Sequence, residues 1–224
     1  MTDTFNGAGA GNGNGNGNGN GNGNGSVRAL RPNGDPMATL AAPRLRGHTV
    51  QIRPVEARDY DFLFDLYTSG EHLVRYRLRG VTPSPDQFVR FLWEQVLAQF
   101  IVETREGRPI GVVSSFEPDF RNRWVRIAAC STIAYESTGL VLEGVALLVS
   151  YLFSCFDFRK IYAESLEANY AQFSLGEGRL FEVEGRMKEH EYVDGRYQDF
   201  VLMAIYREAW REQHQRIFGE EGTF

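Results

Sequence analysis

Apolar positions along the chain recur with a period of two in some stretches and near 3.6 in others, which marks out a series of elements. A strand is predicted over 49–53, where Val50 and Ile52 alternate with polar neighbours and Pro54 ends the run. A helix follows over 56–68, with Tyr60, Phe62, Leu63 and Leu66 on one face. Residues 69–85 are irregular, and Ser84 or Pro85 opens a second helix through Phe88, Phe91, Leu92 and Val96. Strands over 99–104 and 109–116 flank a turn at Glu106-Gly107-Arg108, and a third strand covers 124–133. The stretch 134–138 is a loop. The helix predicted over 139–156 is apolar on nearly every side (Leu140, Val145, Leu148, Val149, Leu152, Phe153), so it belongs in a core. A strand over 160–165, a short helix over 169–175, a hairpin of 181–186 with 198–206 across Asp194-Gly195, and an amphipathic helix over 207–218 complete the series.

A strand, a buried helix and another strand imply one parallel crossover, while the hairpins are antiparallel. The expected fold class is therefore α+β, with a mixed, mostly antiparallel twisted sheet flanked by helices.

Composition trims this domain. Of 224 residues 24 are Gly, and Gly alternates with Asn over 11–25. Such a repeat has no apolar side chains to repay the entropy of ordering its backbone. Residues 1–46 are expected to be a disordered tail and linker, and 47–224 a single domain. The net charge is −5, and Arg28, Arg31, Arg44 and Arg46 outnumber Asp3 and Asp35 in the tail, so the domain is more acidic still. That balance disfavours nucleic acid, because phosphate contacts need a basic surface. Cys130 and Cys155 sit in apolar runs and read as reduced core thiols, with no disulfide or metal framework. The longest apolar stretch, 141–156, is interrupted by Glu143, Ser150 and Ser154 and is short of the ~20 residues of a membrane span. No secretory signal is visible, so a soluble cytoplasmic protein is expected.

Several segments carry a resemblance. "VQIRPVEARDYDFLFDLY", "REGRPIGVVS", "KIYAESLEANYAQF", "FEVEGRMKEHEYVDGRYQDFVLMAI" and "YREAW" resemble, in order, the opening strand and helix, central hairpin, fifth strand, last hairpin and ending of the GNAT acyltransferase superfamily. The likeness is greatest to its ribosomal-protein N-terminal acetyltransferase branch. It implies a GNAT-like sheet whose splayed strands hold the pantetheine arm of acetyl-CoA or another acyl-CoA. It also implies a loop of pattern [Gln/Arg]-x-x-Gly-x-[Gly/Ala] that binds the diphosphate through free N–H groups at a helix start. The acceptor is a small-molecule amine or peptide, and the fold often forms homodimers.

On this chain the loop falls on Glu136-Ser137-Thr138-Gly139-Leu140-Val141, where Gly139 fits and Glu136 and Val141 depart from the pattern. The resemblance assigns cofactor binding to Ile133, Gly139, Leu140, Val141, Leu142 and Asn169, and catalysis to Asn169 with Tyr170. The branch's Asn-x-x-Ser becomes Asn169-x-x-Gln172, and Gln172 cannot supply the hydroxyl proton, which leaves Tyr170 and Ser174 as replacements. His190, Glu103 and Glu117 are candidate bases. Arg75, Arg77 and Arg79 could receive an anionic acceptor or an acyl carrier protein. An acyltransferase fed by a carrier-bound thioester and a non-catalytic binding protein are the alternatives to direct N-acylation from acyl-CoA.

Overall fold

The computed structural model describes residues 44–219. The Gly-Asn tract and the rest of 1–43 lie outside them, so the tail expectation does too. Eight strands form one sheet: β1 (Leu45–Arg46), β2 (Val50–Pro54), β3 (Val96–Thr104), β4 (Pro109–Asp119), β5 (Trp124–Ser131), β6 (Lys160–Leu166), β7 (Glu182–Val193) and β8 (Arg196–Tyr206). Their spatial order is β1-β2-β3-β4-β5-β6-β8-β7. Only β5 and β6 run parallel, joined by α4 (Leu140–Cys155); every other neighbouring pair is antiparallel. The α+β reading holds.

The faces of the sheet are covered differently. On one, α4 packs Leu147, Leu148, Leu152 and Phe153 against Ile52, Val102, Val113 and Val125, with Trp210 of α6 (Arg207–Phe218) at the margin. On the other, α1 (Tyr60–Thr68) and α3 (Pro85–Trp93) bury Leu63, Leu66, Tyr67, Phe88 and Leu92 against Ile101, Val112 and Cys130. Gly144 lets α4 approach β3: a Cβ there would stand 2.8 Å from a Val102 methyl. Ser84 opens α3 with a reciprocal capping box to Gln87, and Pro85 takes the first turn, as the pattern predicts.

A buried ion network staples β2, β3 and the start of α1. Arg53 grips Asp59 through Nη1 at 2.6 Å and Nη2 at 2.8 Å, and Glu103 through Nε at 2.7 Å. Burial pushes the Asp59 carboxyl up, but the bonds from Arg53 and the Glu56 N–H outweigh it and hold it below its ordinary value. Glu103 is thus a structural counter-ion, not a base.

Several boundaries differ from the pattern. Leu45–Arg46, expected in the linker, pair with Ile52 and Gln51 as β1. The helix over 85–96 stops at Trp93 because Gln95 turns left-handed (φ 56°) and Val96 opens β3. The irregular stretch after α1 contains a short helix, α2 (His72–Arg75). β5 ends at Ser131, and Ile133 starts a 3-10 turn, Ile133–Tyr135. The helix over 169–175 is only α5 (Glu167–Tyr170), followed by turns. β7 runs far past residue 186: exposure alternates from Glu182 to Lys188, and a bulge between Met187 and Glu191 then breaks the period that would mark the rest as strand. Cys155 is exposed on the last turn of α4 and is no core thiol, whereas Cys130 is buried.

Candidate active site

The site begins where β5 and β6 part. Their parallel register runs from Trp124↔Lys160 to Ile127↔Ala163 and stops. Beyond it β5 stays paired to β4 as far as Gly111↔Ser131, and β6 to β8 as far as Leu166↔Phe200. Each strand follows its outer partner, so a cleft opens with unpaired backbone edges on both walls. It opens at the carboxyl ends of two parallel strands, where α/β sheets bind ligands.

The start of α4 closes one end of this cleft. Gly139 is its N-cap at φ 78°, a left-handed conformation that favours glycine, and its Cα faces open space. The Leu140 N–H reaches Thr138 Oγ1 at 3.3 Å, and among the described residues the Val141 N–H has no acceptor. These donors and the helix dipole suit a diphosphate. Val141 does not obstruct it: the residue is buried, and its side chain packs toward Gly111 in the core. Leu142 and Ile133 are exposed at 53% and 71% and flank the loop. The Glu136 carboxylate, the other departure, lies 3.2 Å from His72 Nε2 of α2.

Asn169 and Tyr170 lie on α5, directly after β6. Asn169 is half-buried, and its carboxamide makes no hydrogen bond among the described residues. The Tyr170 ring is buried against Phe173, Phe181, Val201 and Met203, and its hydroxyl donates to Glu177. That bond raises the phenol above its ordinary pKa. Gln172 is exposed, and Ser174 Oγ donates to the Ala171 carbonyl.

The opposite face at the base of the cleft is charged. Arg126 donates to Glu117 at 2.7 Å, and its Nε lies 3.2 Å from Glu164, the first β6 residue past the parallel pairing. Below it, Glu184 accepts from Lys160 at 2.8 Å, from Tyr162 at 2.8 Å and from Tyr206. Burial raises the Glu184 carboxyl, but these three donors outweigh it and leave it low. Residue type alone does not single out Glu164 or Glu184; only the register brings them to this face.

Other sequence candidates fall elsewhere. His190 lies against Phe200 with ring centroids 5.6 Å apart, the rings tilted by 38°. Arg75 pairs with Glu71 and Asp194, and Arg79 with Glu191. Arg77 lies over Phe91 at 4.9 Å and donates to the Glu94 carbonyl. The three arginines are thus engaged within the domain, two of them tying the α2 region to the β7–β8 hairpin.

A family model described as an acetyltransferase (GNAT) domain matches residues 49–177. The chain belongs to the GNAT acetyltransferase family. It is an N-acetyltransferase, and acetyl-CoA is its acyl donor. Its sequence is similar to the spermidine N(1)-acetyltransferase of Escherichia coli (strain K12), 22% identical over 172 residues, 75% of this chain and 91% of the relative. The corresponding Vibrio cholerae enzyme is 22% identical over 163 residues, 71% and 94% of the two chains. Among solved structures, spermidine N-acetyltransferase from Vibrio cholerae in complex with CoA and spermine matches with a TM-score of 0.64 at 21% identity, covering 72% of this chain and 98% of that one. A GNAT-family acetyltransferase from Bacillus anthracis matches at 0.61 and 17% identity, covering 74% and 99%. At these identities the structural matches support the fold. Among the described residues no helix is long and apolar enough to cross a membrane.

Proposed function

We propose that the chain acetylates an amine of a small polyamine. The observation that carries this reading is the Glu117–Arg126–Glu164 cluster beside the splay, two carboxylates sharing one cation, on the face that bears the α1–α3 connection. An acceptor ammonium competes with Arg126 for these carboxylates and for the face of Trp124, over which the Arg126 guanidinium lies at 5.6 Å. The names of the relatives agree with this acceptor class.

In this assignment the Leu140 and Val141 N–H groups and Gly139 hold the diphosphate, while Ile133 and Leu142 pack beside it. The free edge of β5 beyond Ile127 pairs with the pantetheine arm, and Asn169 supplies a carboxamide to it. Glu164 accepts the proton of the attacking amine as the new N–C bond forms and the C–S bond breaks. Tyr170, kept protonated by its contact with Glu177, returns a proton to the sulfur. Tyr170→Phe keeps the ring packing, so an unchanged kcat would assign the hydroxyl a structural role; the expected drop is about tenfold or more.

The test is acetylation of spermidine, followed by mass spectrometry at saturating acetyl-CoA. Glu164→Gln is expected to lower kcat about tenfold or more and raise KM for spermidine about tenfold, and to leave KM for acetyl-CoA unchanged. Acetylation of peptide N-termini with none of spermidine would instead assign the chain to the ribosomal-protein branch.

A further inference from the structure

Glu136 occupies the first position of the diphosphate loop, and its carboxylate is the wrong charge for that place. Left free, it would repel the diphosphate. It would also be drawn to the start of α4, since helix N-termini favour anions, and would occupy the N–H groups that the diphosphate needs. The structure shows where it goes instead. Its Oε1 meets His72 Nε2 at 3.2 Å, and the other ring nitrogen of His72, Nδ1, faces the Leu66 carbonyl at 3.0 Å. The ring is thus held between the Leu66 carbonyl on one nitrogen and the Glu136 carboxylate on the other, which sets its direction. The His72 ring is 17% exposed and held from α1, which leaves it one direction in which to present Nε2. α2 packs Leu73 and Tyr76 on the sheet face that carries α1 and α3, opposite to α4. The contact therefore draws the carboxylate away from the α4 donors.

We propose that His72 is a positioning residue for the acetyl-CoA site, which it serves by keeping Glu136 off the diphosphate donors. Arg75, one turn along α2, ion-pairs with Asp194 at 2.6 Å, so the same short helix joins the donor loop to the tip of the β7–β8 hairpin. The inference rests on the diphosphate loop proposed above.

Calorimetric titration of the full chain with CoA tests it, with thermal melting run on every variant. His72→Ala should weaken CoA binding about fivefold, the effect of one like charge at contact distance in water. Glu136→Gln should bind at least as tightly as the unaltered chain. The double variant should follow Glu136→Gln, because the harm done by losing His72 acts through the charge. Should His72→Ala melt below the titration temperature, Glu136→Asp replaces it: the charge stays but the reach to His72 is lost, and weaker binding is expected. Unaltered affinity in His72→Ala or Glu136→Asp overturns the proposal, as does a double variant as weak as His72→Ala. No CoA binding by the unaltered chain removes the loop reading and this inference together, whereas binding that ignores these substitutions removes this inference alone.

Discussion

Single residues carry more of the stability than their exposure on the sequence suggests. Asp59 takes three hydrogen bonds, two from Arg53 and one from the Glu56 N–H at 2.8 Å. Its folded carboxyl is held below the unfolded value, so its contribution is complete at neutral pH and fades as acid takes the pH below about 4. Asp59→Asn is expected to cost about 3 kcal/mol in urea unfolding at pH 7, since it leaves Arg53 short of one partner. The variant should also show a shallower loss of stability between neutral and acid pH; equal slopes would mean that other carboxylates govern acid unfolding. The cysteines differ in the same way. Burial pushes the Cys130 thiol up to about 12, while Cys155 lies open. Native protein should react with one equivalent of a thiol reagent, at Cys155, and with two only when unfolded. The sequence showed two cysteines in apolar runs and could not separate them. Whether a helix end faces the sheet or solvent depends on partners that are distant in the chain.

At the scale of elements, the cleft is a consequence of unequal pairing. β5 follows β4 and β6 follows β8, and the right-handed twist of the sheet widens the gap where mutual pairing stops. Amides on the free edges of Ala128–Ser131 and Glu164–Leu166 have no partner across the gap. Addition of CoA should slow their hydrogen exchange more than that of amides in the β2–β3 pair, which lie away from the cleft. Uniform protection across the sheet would count against strand-like binding in the splay. The helix beside the cleft was legible from its apolar run and from Gly139, whose left-handed backbone favours a glycine. Gly144 passed unnoticed, because only the packed structure shows Val102 at 2.8 Å from its missing Cβ. Gly144→Ala should destabilise the fold by about 1–3 kcal/mol, as overpacking does, measurable as a lower Tm.

For the whole molecule, the matched family region and every residue of the cleft lie beyond the Gly-Asn tract. Deletion of residues 1–34 is expected to leave Tm and CoA affinity unchanged; a loss of either would give the tract a role that its composition does not announce. The body is acidic, with a net charge of −5 for the chain. A polycationic acceptor should accordingly show a KM that rises with salt, while a neutral amine should not. The sequence by itself determined the order of the longer strands and helices, the parallel crossover through α4 and a glycine at the start of that helix. Hydrophobic period, caps and turn residues are local, and their physics is carried by near neighbours. Only the tertiary structure decided what the departures from the family pattern mean. Val141 points into the core. Glu136 is held by a histidine 64 residues away. Glu117 and Glu164 share one cation because strand register brings both to Arg126. Charges and donors act over a few ångströms, so their roles follow from which residues the sheet and helices bring together.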